Sequence, residues 1–118
     1  MNKYNVSEKY KRTAYGNVFD SKKEMERYFV LRDLLRRKKI KSLKLQPKFL
    51  LQGAFTDNKG KRHREISYIA DFAYLELDAN NYVTANVVED SKGFLTEIYK
   101  LKKKLFLYQY KDVDFREV

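Results

Sequence analysis

Two apolar runs of β character, Ser67–Leu77 and Tyr82–Val88, stand either side of Asp78-Ala79-Asn80-Asn81, a sequence that favours tight chain reversal. They predict a β-hairpin with Asp71 within its first strand and Glu89-Asp90 at the end of its second. Lys92 follows two residues after Asp90. An ionised carboxylate among apolar strand residues is costly unless it is paired, hydrogen-bonded or bound to a cation. A carboxylate on each of two paired strands therefore predicts a shared cation.

Composition narrows both the cation and the partner. The 118 residues suffice for one domain with its own core, and 43% hydrophobic with 15% aromatic residues argue against disorder. Lys and Arg number 26 against 16 Asp and Glu, a formal charge of +10, which calls for a polyanionic partner, nucleic acid before an anionic membrane surface. No apolar run approaches the roughly 18 residues that span a bilayer, and the N-terminus lacks the apolar segment of a signal peptide, so a cytoplasmic protein is expected. With no cysteine and His63 alone, a zinc site is excluded. A metal held by oxygens remains, which means Mg²⁺ or Mn²⁺.

Along the chain, residues 1–11 read as a basic arm, and Arg12–Phe19 around Gly16-Asn17 as a small hairpin. Ser21-Lys22-Lys23-Glu24 is a capping box opening a helix to about Arg37. On a helical wheel Glu24 shares the side of Tyr28, Leu31 and Leu35, so it is predicted to face inward. Leu43, Leu45, Phe49 and Leu51 alternate as strand residues around a bend at Pro47. A turn at Asp57–Gly60 then leads into one long strand from about Arg64 to Leu77, with Asp71 inside the sheet. A second helix, Leu95–Gln109, is predicted to bury Ile98, Leu101, Leu105 and Tyr108 and to expose Thr96, Lys100, Lys103 and Lys104. Val113–Val118 reads as a last strand. The order αβββαβ, after a small hairpin, predicts a layered α/β fold with helices on the faces of a sheet.

A glutamate early in the first helix, an aspartate in the middle strand and an acid-any-lysine triplet ending the next strand resemble the PD-(D/E)XK nuclease pattern. The matching residues are Glu24, Asp71 and Asp90-Ser91-Lys92. Five ordered blocks, Phe19-Asp20-Ser21-Lys22-Lys23-Glu24, Leu45-Gln46-Pro47-Lys48-Phe49, Tyr68-Ile69-Ala70-Asp71-Phe72, Glu89-Asp90-Ser91-Lys92-Gly93 and Tyr99–Phe106, are similar to a family of small phage and prophage proteins. Ala70 stands where the simplest pattern has proline.

The resemblance implies a restriction-endonuclease-like fold with a mixed sheet and a Mg²⁺-dependent DNA endonuclease acting on branched or four-way-junction DNA in phage replication, recombination or packaging. It implies catalytic roles for Glu24, Asp71, Asp90 and Lys92. Asp71, Asp90 and Glu24 would hold the metal, with Glu89 as the alternative second ligand and the Ser91 carbonyl as a further one. Lys100, Lys103, Lys104, Arg36, Arg37, Arg62 and Arg64 are candidate phosphate contacts, and Gln46, Thr96 and Tyr99 stand as candidates around the site. Paired incisions suggest a homodimer, through Phe106–Tyr110 or the Tyr15–Phe19 hairpin. Each residue also has a plain structural alternative: Glu24 only closes the capping box, Asp71 pairs with Arg64 or Lys92, and Asp90 is a turn residue. For the whole chain, the alternative is a non-catalytic nucleic-acid-binding protein.

Overall fold

A computed structural model describes residues 9–14, 16–91 and 96–118. Of the arm expected at residues 1–11, residues 1–8 lie outside the described residues, as do Tyr15, Lys92 and Gly93, whereas residues 9–11 belong to a 3₁₀ turn. A 3₁₀ turn, Lys9–Arg12, leads into the small antiparallel hairpin of β1 (Thr13–Ala14) and β2 (Asn17–Val18). Helix α1 (Lys22–Arg36) starts where the capping box predicts, with Ser21 Oγ accepting from the Glu24 backbone N–H at 3.1 Å. Strands β3 (Ile40–Leu45), β8 (Phe72–Leu77), β9 (Val83–Asp90) and β10 (Asp114–Glu117) form one mixed sheet in the order β10-β9-β8-β3. Within it β9 and β10 are parallel, and the other neighbours are antiparallel. The fold is therefore α/β with a mixed sheet and two helices, as the element order predicts.

The predicted long strand is broken. It divides into β7 (Ile66–Ile69) and β8, and Asp71 sits at the break rather than inside a strand. Its partner breaks at the same level, between β3 and β4 (Lys48–Gln52). Pro47 has no N–H to continue the ladder and Gln46 adopts φ +47°, so this edge turns out of the sheet. The neighbouring strand turns with it, because the Gln46 N–H donates to the Asp71 carbonyl at 2.9 Å and the Ala70 N–H to the Pro47 carbonyl at 3.1 Å. Beyond the bend, β4 and β7 pair as a two-stranded ribbon, and the smaller pair β5 (Phe55–Thr56) and β6 (Arg62–His63) lies at its far end.

Strand alternation sends successive residues of β9 to two separate cores. Val87 joins Phe19, Met25, Tyr28, Leu31, Ile40, Phe72 and Tyr74 under α1. Val88 joins Leu51, Tyr68, Ala70 and Phe106 under α2 (Glu97–Gln109).

The prediction for α2 was wrong about which face is buried. Ile98, Leu101, Leu105 and Tyr108 are 68, 58, 36 and 71% exposed, whereas Phe106 is fully buried. The ribbon and β10 form an aromatic slot in which Phe106 meets Phe49 at 4.7 Å, Tyr68 at 5.1 Å and Phe115 at 6.0 Å between ring centroids. Aromatic rings carry the larger apolar area, so the aromatic side of the helix is buried in preference to its aliphatic row. The suggested dimer surfaces change accordingly, because Phe106 and Phe19 are core residues. No helix among the described residues is long and apolar enough to cross a membrane.

Candidate functional site

The first turn of α1, the bend before β8 and the end of β9 meet at one end of the sheet. There Glu24, Asp71 and Ser91 line a cleft of about 260 Å³, together with Lys23, Arg27 and Val118. Glu24 faces inward as predicted and is 3% exposed. Its Oε1 is buried and has no hydrogen-bond partner among the described residues. Burial raises the Glu24 carboxyl from 4.5 to about 8; the charges of Asp71, Asp20 and Asp90 add to the rise, and a backbone hydrogen bond from Asp20 opposes it.

Asp71 is anchored to the end of β9 in two ways. Its N–H donates to the Glu89 carbonyl at 3.1 Å, and its Oδ2 accepts the Ser91 N–H at 2.7 Å. It forms no ion pair among the described residues, so pairing with Arg64 is not its role. Asp90 is buried and accepts a hydrogen bond from the Tyr68 hydroxyl. Burial raises the Asp90 carboxyl, the Tyr68 bond pulls it down, and Asp71 pushes it up again.

Strand alternation turns Glu89 and Asp90 to opposite faces of the sheet. Glu89 points to the α1 side, where Arg27 holds both its oxygens at 2.8 and 2.6 Å and the Tyr74 hydroxyl donates to it. Its charge is already balanced. Glu89 thus lies on the α1 side with its charge paired, and Asp90 on the opposite face beside Tyr68.

Among the described residues, no three His, Cys, Asp or Glu side chains converge tightly enough to close a metal shell. The donors in the cluster are carboxylate oxygens, the type that a hard divalent cation takes. A buried carboxyl with an oxygen lacking a donor, raised first by burial and then by neighbouring carboxylates, marks a place short of positive charge, and oxygen ligands suit Mg²⁺ or Mn²⁺. Lys92 lies outside the described residues.

The remaining candidates separate by environment. Lys103 pairs with Glu117 and sits over the Phe115 ring at 5.1 Å, so it is a packing residue and not a free phosphate contact. Arg36 and Arg37 both pair with Asp33. Lys100 pairs with Glu97 at 3.5 Å, and Lys104 is exposed. Arg62 and Arg64 are exposed on and beside β6. Thr96 caps α2, its Oγ1 accepting from the Tyr99 N–H at 3.0 Å. Gln46 donates to Asp20 at 3.4 Å. Tyr99 has a buried hydroxyl and packs near Tyr68.

Arg27, Lys23, Tyr68 and Tyr74 were not singled out from the sequence. Arg27 had a readable signal, an arginine three residues after Glu24 and hence beside it on the inward side of the helix. Tyr68 had another, because it precedes Ala70 by two and so shares a strand face with it.

The Glu24 environment gives a stability signature. Its folded pKa lies above its ordinary value, so the stability linked to its protonation is complete below about 4.5 and lost as pH rises through about 8. Without metal, the melting temperature of the wild type relative to Glu24→Gln should fall from pH 5 to pH 8, and Mg²⁺ should remove the fall. Parallel pH profiles for the two proteins, unmoved by Mg²⁺, would show that Glu24 is not in this charge-poor cluster.

No curated protein and no solved structure matches the chain. The sequence profile of the family described as "Protein of unknown function (DUF1064)" matches residues 1–118, and the chain belongs to that family.

Proposed function

We propose that this chain is a Mg²⁺- or Mn²⁺-dependent DNA endonuclease of PD-(D/E)XK type, with a restriction-endonuclease-like fold and a preference for branched DNA. The observation that carries the reading is Glu24, a buried carboxylate with an orphaned oxygen, set beside Asp71 and Asp90 in a chain of charge +10. Such an arrangement is costly for a purely structural residue and useful to a cation site.

Asp71, Asp90 and Glu24 would hold the ion, which when bound stabilises charge on the phosphate and makes a water nucleophilic near neutral pH. The protein's own groups do the positioning. The Ser91 N–H fixes one Asp71 oxygen, and the Tyr68 hydroxyl fixes one of Asp90. Lys23 lines the same cleft, and its ammonium would neutralise charge on an incoming phosphodiester. Lys92, by its spacing from Asp90, would orient the attacking water. Preference for branched DNA rests on the kind of contact, since exposed Lys and Arg side chains meet phosphates, which carry shape rather than sequence.

The test is incubation with Mg²⁺ or Mn²⁺ and a panel of duplex, single-stranded, flap and four-way-junction DNAs. The expected result is metal-dependent incision strongest on branched forms, with DNA affinity falling steeply as salt rises. Salt-sensitive binding without incision under either metal would leave a non-catalytic binder.

Paired incisions would need a second copy, and α2 offers the face for it. Ile98, Leu101, Leu105 and Tyr108 are spaced three, four and three residues apart like a coiled-coil seam. Glu97 at one end and Lys111 near the other would face each other in an antiparallel pair. Light scattering should show a concentration-dependent dimer that Leu101→Glu disperses; a wild type monomeric at all concentrations rejects the pairing.

A further inference from the structure

We propose that residues 53–64 form a second contact for double-stranded DNA, seated about one helical turn from the Asp71 end of the sheet. This deepens the nuclease reading and rests on it.

The tip of the ribbon is built with more order than its place in the fold requires. Asp57 Oδ1 accepts the N–H groups of Lys59 at 2.9 Å and Lys61 at 3.0 Å, and its Oδ2 meets His63 Nε2 at 2.8 Å. Gly60 takes the φ of +84° that closes the turn, and its N–H donates to the Asp57 carbonyl at 3.0 Å. Phe55 stacks on His63 across the two strands, with centroids 4.7 Å apart. None of these residues belongs to either core cluster.

The ordering serves a charged surface. Lys59, Lys61, Arg62 and Arg64 are all exposed, and among the described residues none of the four forms an ion pair. Asp57 is the single acid in the segment, and it is used up by the turn and by His63. Four unbalanced cations on a rigid projection are suited to a polyanion, because little conformational freedom is left to lose on binding.

The molecule is more extended than a compact chain of its length. Its radius of gyration is 16.7 Å and its longest dimension 55 Å. A compact chain of this length would have a radius near ~13.5 Å. Extended backbone advances about 3.3 Å per residue, so the chain from Gly60 to Asp71 can reach at most about 36 Å. One turn of B-DNA advances about 34 Å. A tip at that reach would meet the same face of the duplex at the next turn.

The experiment compares wild type with Arg62→Ala/Arg64→Ala on 10-bp and 30-bp duplexes in EDTA, where nothing is cut. On the long duplex the variant should lose about tenfold in affinity, and its log–log salt slope should shrink by about 2. On the short duplex it should bind as the wild type does. Arg62→Lys/Arg64→Lys should restore long-duplex affinity, and the melting temperature should be unchanged in both variants because the segment lies outside both cores. Equal affinity of wild type and the alanine variant on the long duplex, or equal losses on both lengths, overturns the second contact while leaving the nuclease reading intact. A wild type that binds neither duplex overturns both, and tighter binding to RNA duplex than to DNA duplex of the same length overturns the assignment to DNA.

Discussion

Asp71→Asn and Asp90→Asn should each abolish Mg²⁺-dependent incision, by at least about a thousandfold, while leaving a folded protein with undiminished affinity for DNA. The magnitude follows from the chemistry, since a phosphodiester displacement without its charge stabilisation forfeits several kcal/mol of transition-state binding. The fold should survive because neither carboxylate is balanced by an ion pair among the described residues. Asn at 71 keeps an acceptor for the Ser91 N–H, and Asn at 90 keeps one for the Tyr68 hydroxyl. Both variants remove negative charge that crowds Glu24, so the metal-free protein should melt at or above the wild-type temperature at pH 8. Loss of activity with a preserved or raised melting point would mark groups serving chemistry at a cost to stability. Wild-type activity in both variants would remove the site as drawn. Glu24→Gln keeps the Ser21 to Glu24 backbone cap, so loss of its activity with an intact melting curve would separate the ligand role from the capping role.

The parts of this site that were legible in the sequence were those set by local periodicity. The wheel placed Glu24 inward because its neighbours Tyr28 and Leu31 are core residues, and alternation required Glu89 and Asp90 to face opposite ways. Which of the two faced the cluster was not legible, because it depends on Arg27 reaching across from α1 to β9. Asp71 was assigned to the right level but to the wrong backbone. Pro47 announced a bend in its own strand, and only pairing shows that the neighbouring strand must bend with it. In α2 the aliphatic row was the more regular pattern, yet the neighbouring Phe49, Tyr68 and Phe115 made the aromatic side the better fit. A helix surrounded by such aromatics is poorly served by counting aliphatic positions alone.

Arg27→Ala should be among the most destabilising single substitutions in the chain, costing about 3–5 kcal/mol. Glu89 is fully buried, and Arg27 is 31% exposed, so the two partners are unequal. Removing the arginine strands a carboxylate in the core under α1 with the Tyr74 hydroxyl as its remaining donor among the described residues. Glu89→Gln leaves a guanidinium that can turn toward water, and it keeps an acceptor for Tyr74, so its cost should be smaller, about 1–3 kcal/mol. Tyr74 reports on the same pair: burial, then its bond to Glu89, raises its hydroxyl to about 12. Replacing both residues, Arg27→Met with Glu89→Leu, should recover much of the loss, because an apolar pair needs no compensating charge. Urea unfolding of the four proteins at pH 5 and 7.5 reads all of this. A cost for Glu89→Gln equal to or above that for Arg27→Ala would mean that the carboxylate is not stabilised mainly by Arg27. If Glu89→Gln is folded yet loses incision completely, while Asp90→Asn retains it, the second acidic ligand moves to Glu89 and the ion pair becomes part of the cleavage machinery rather than of the frame that holds it.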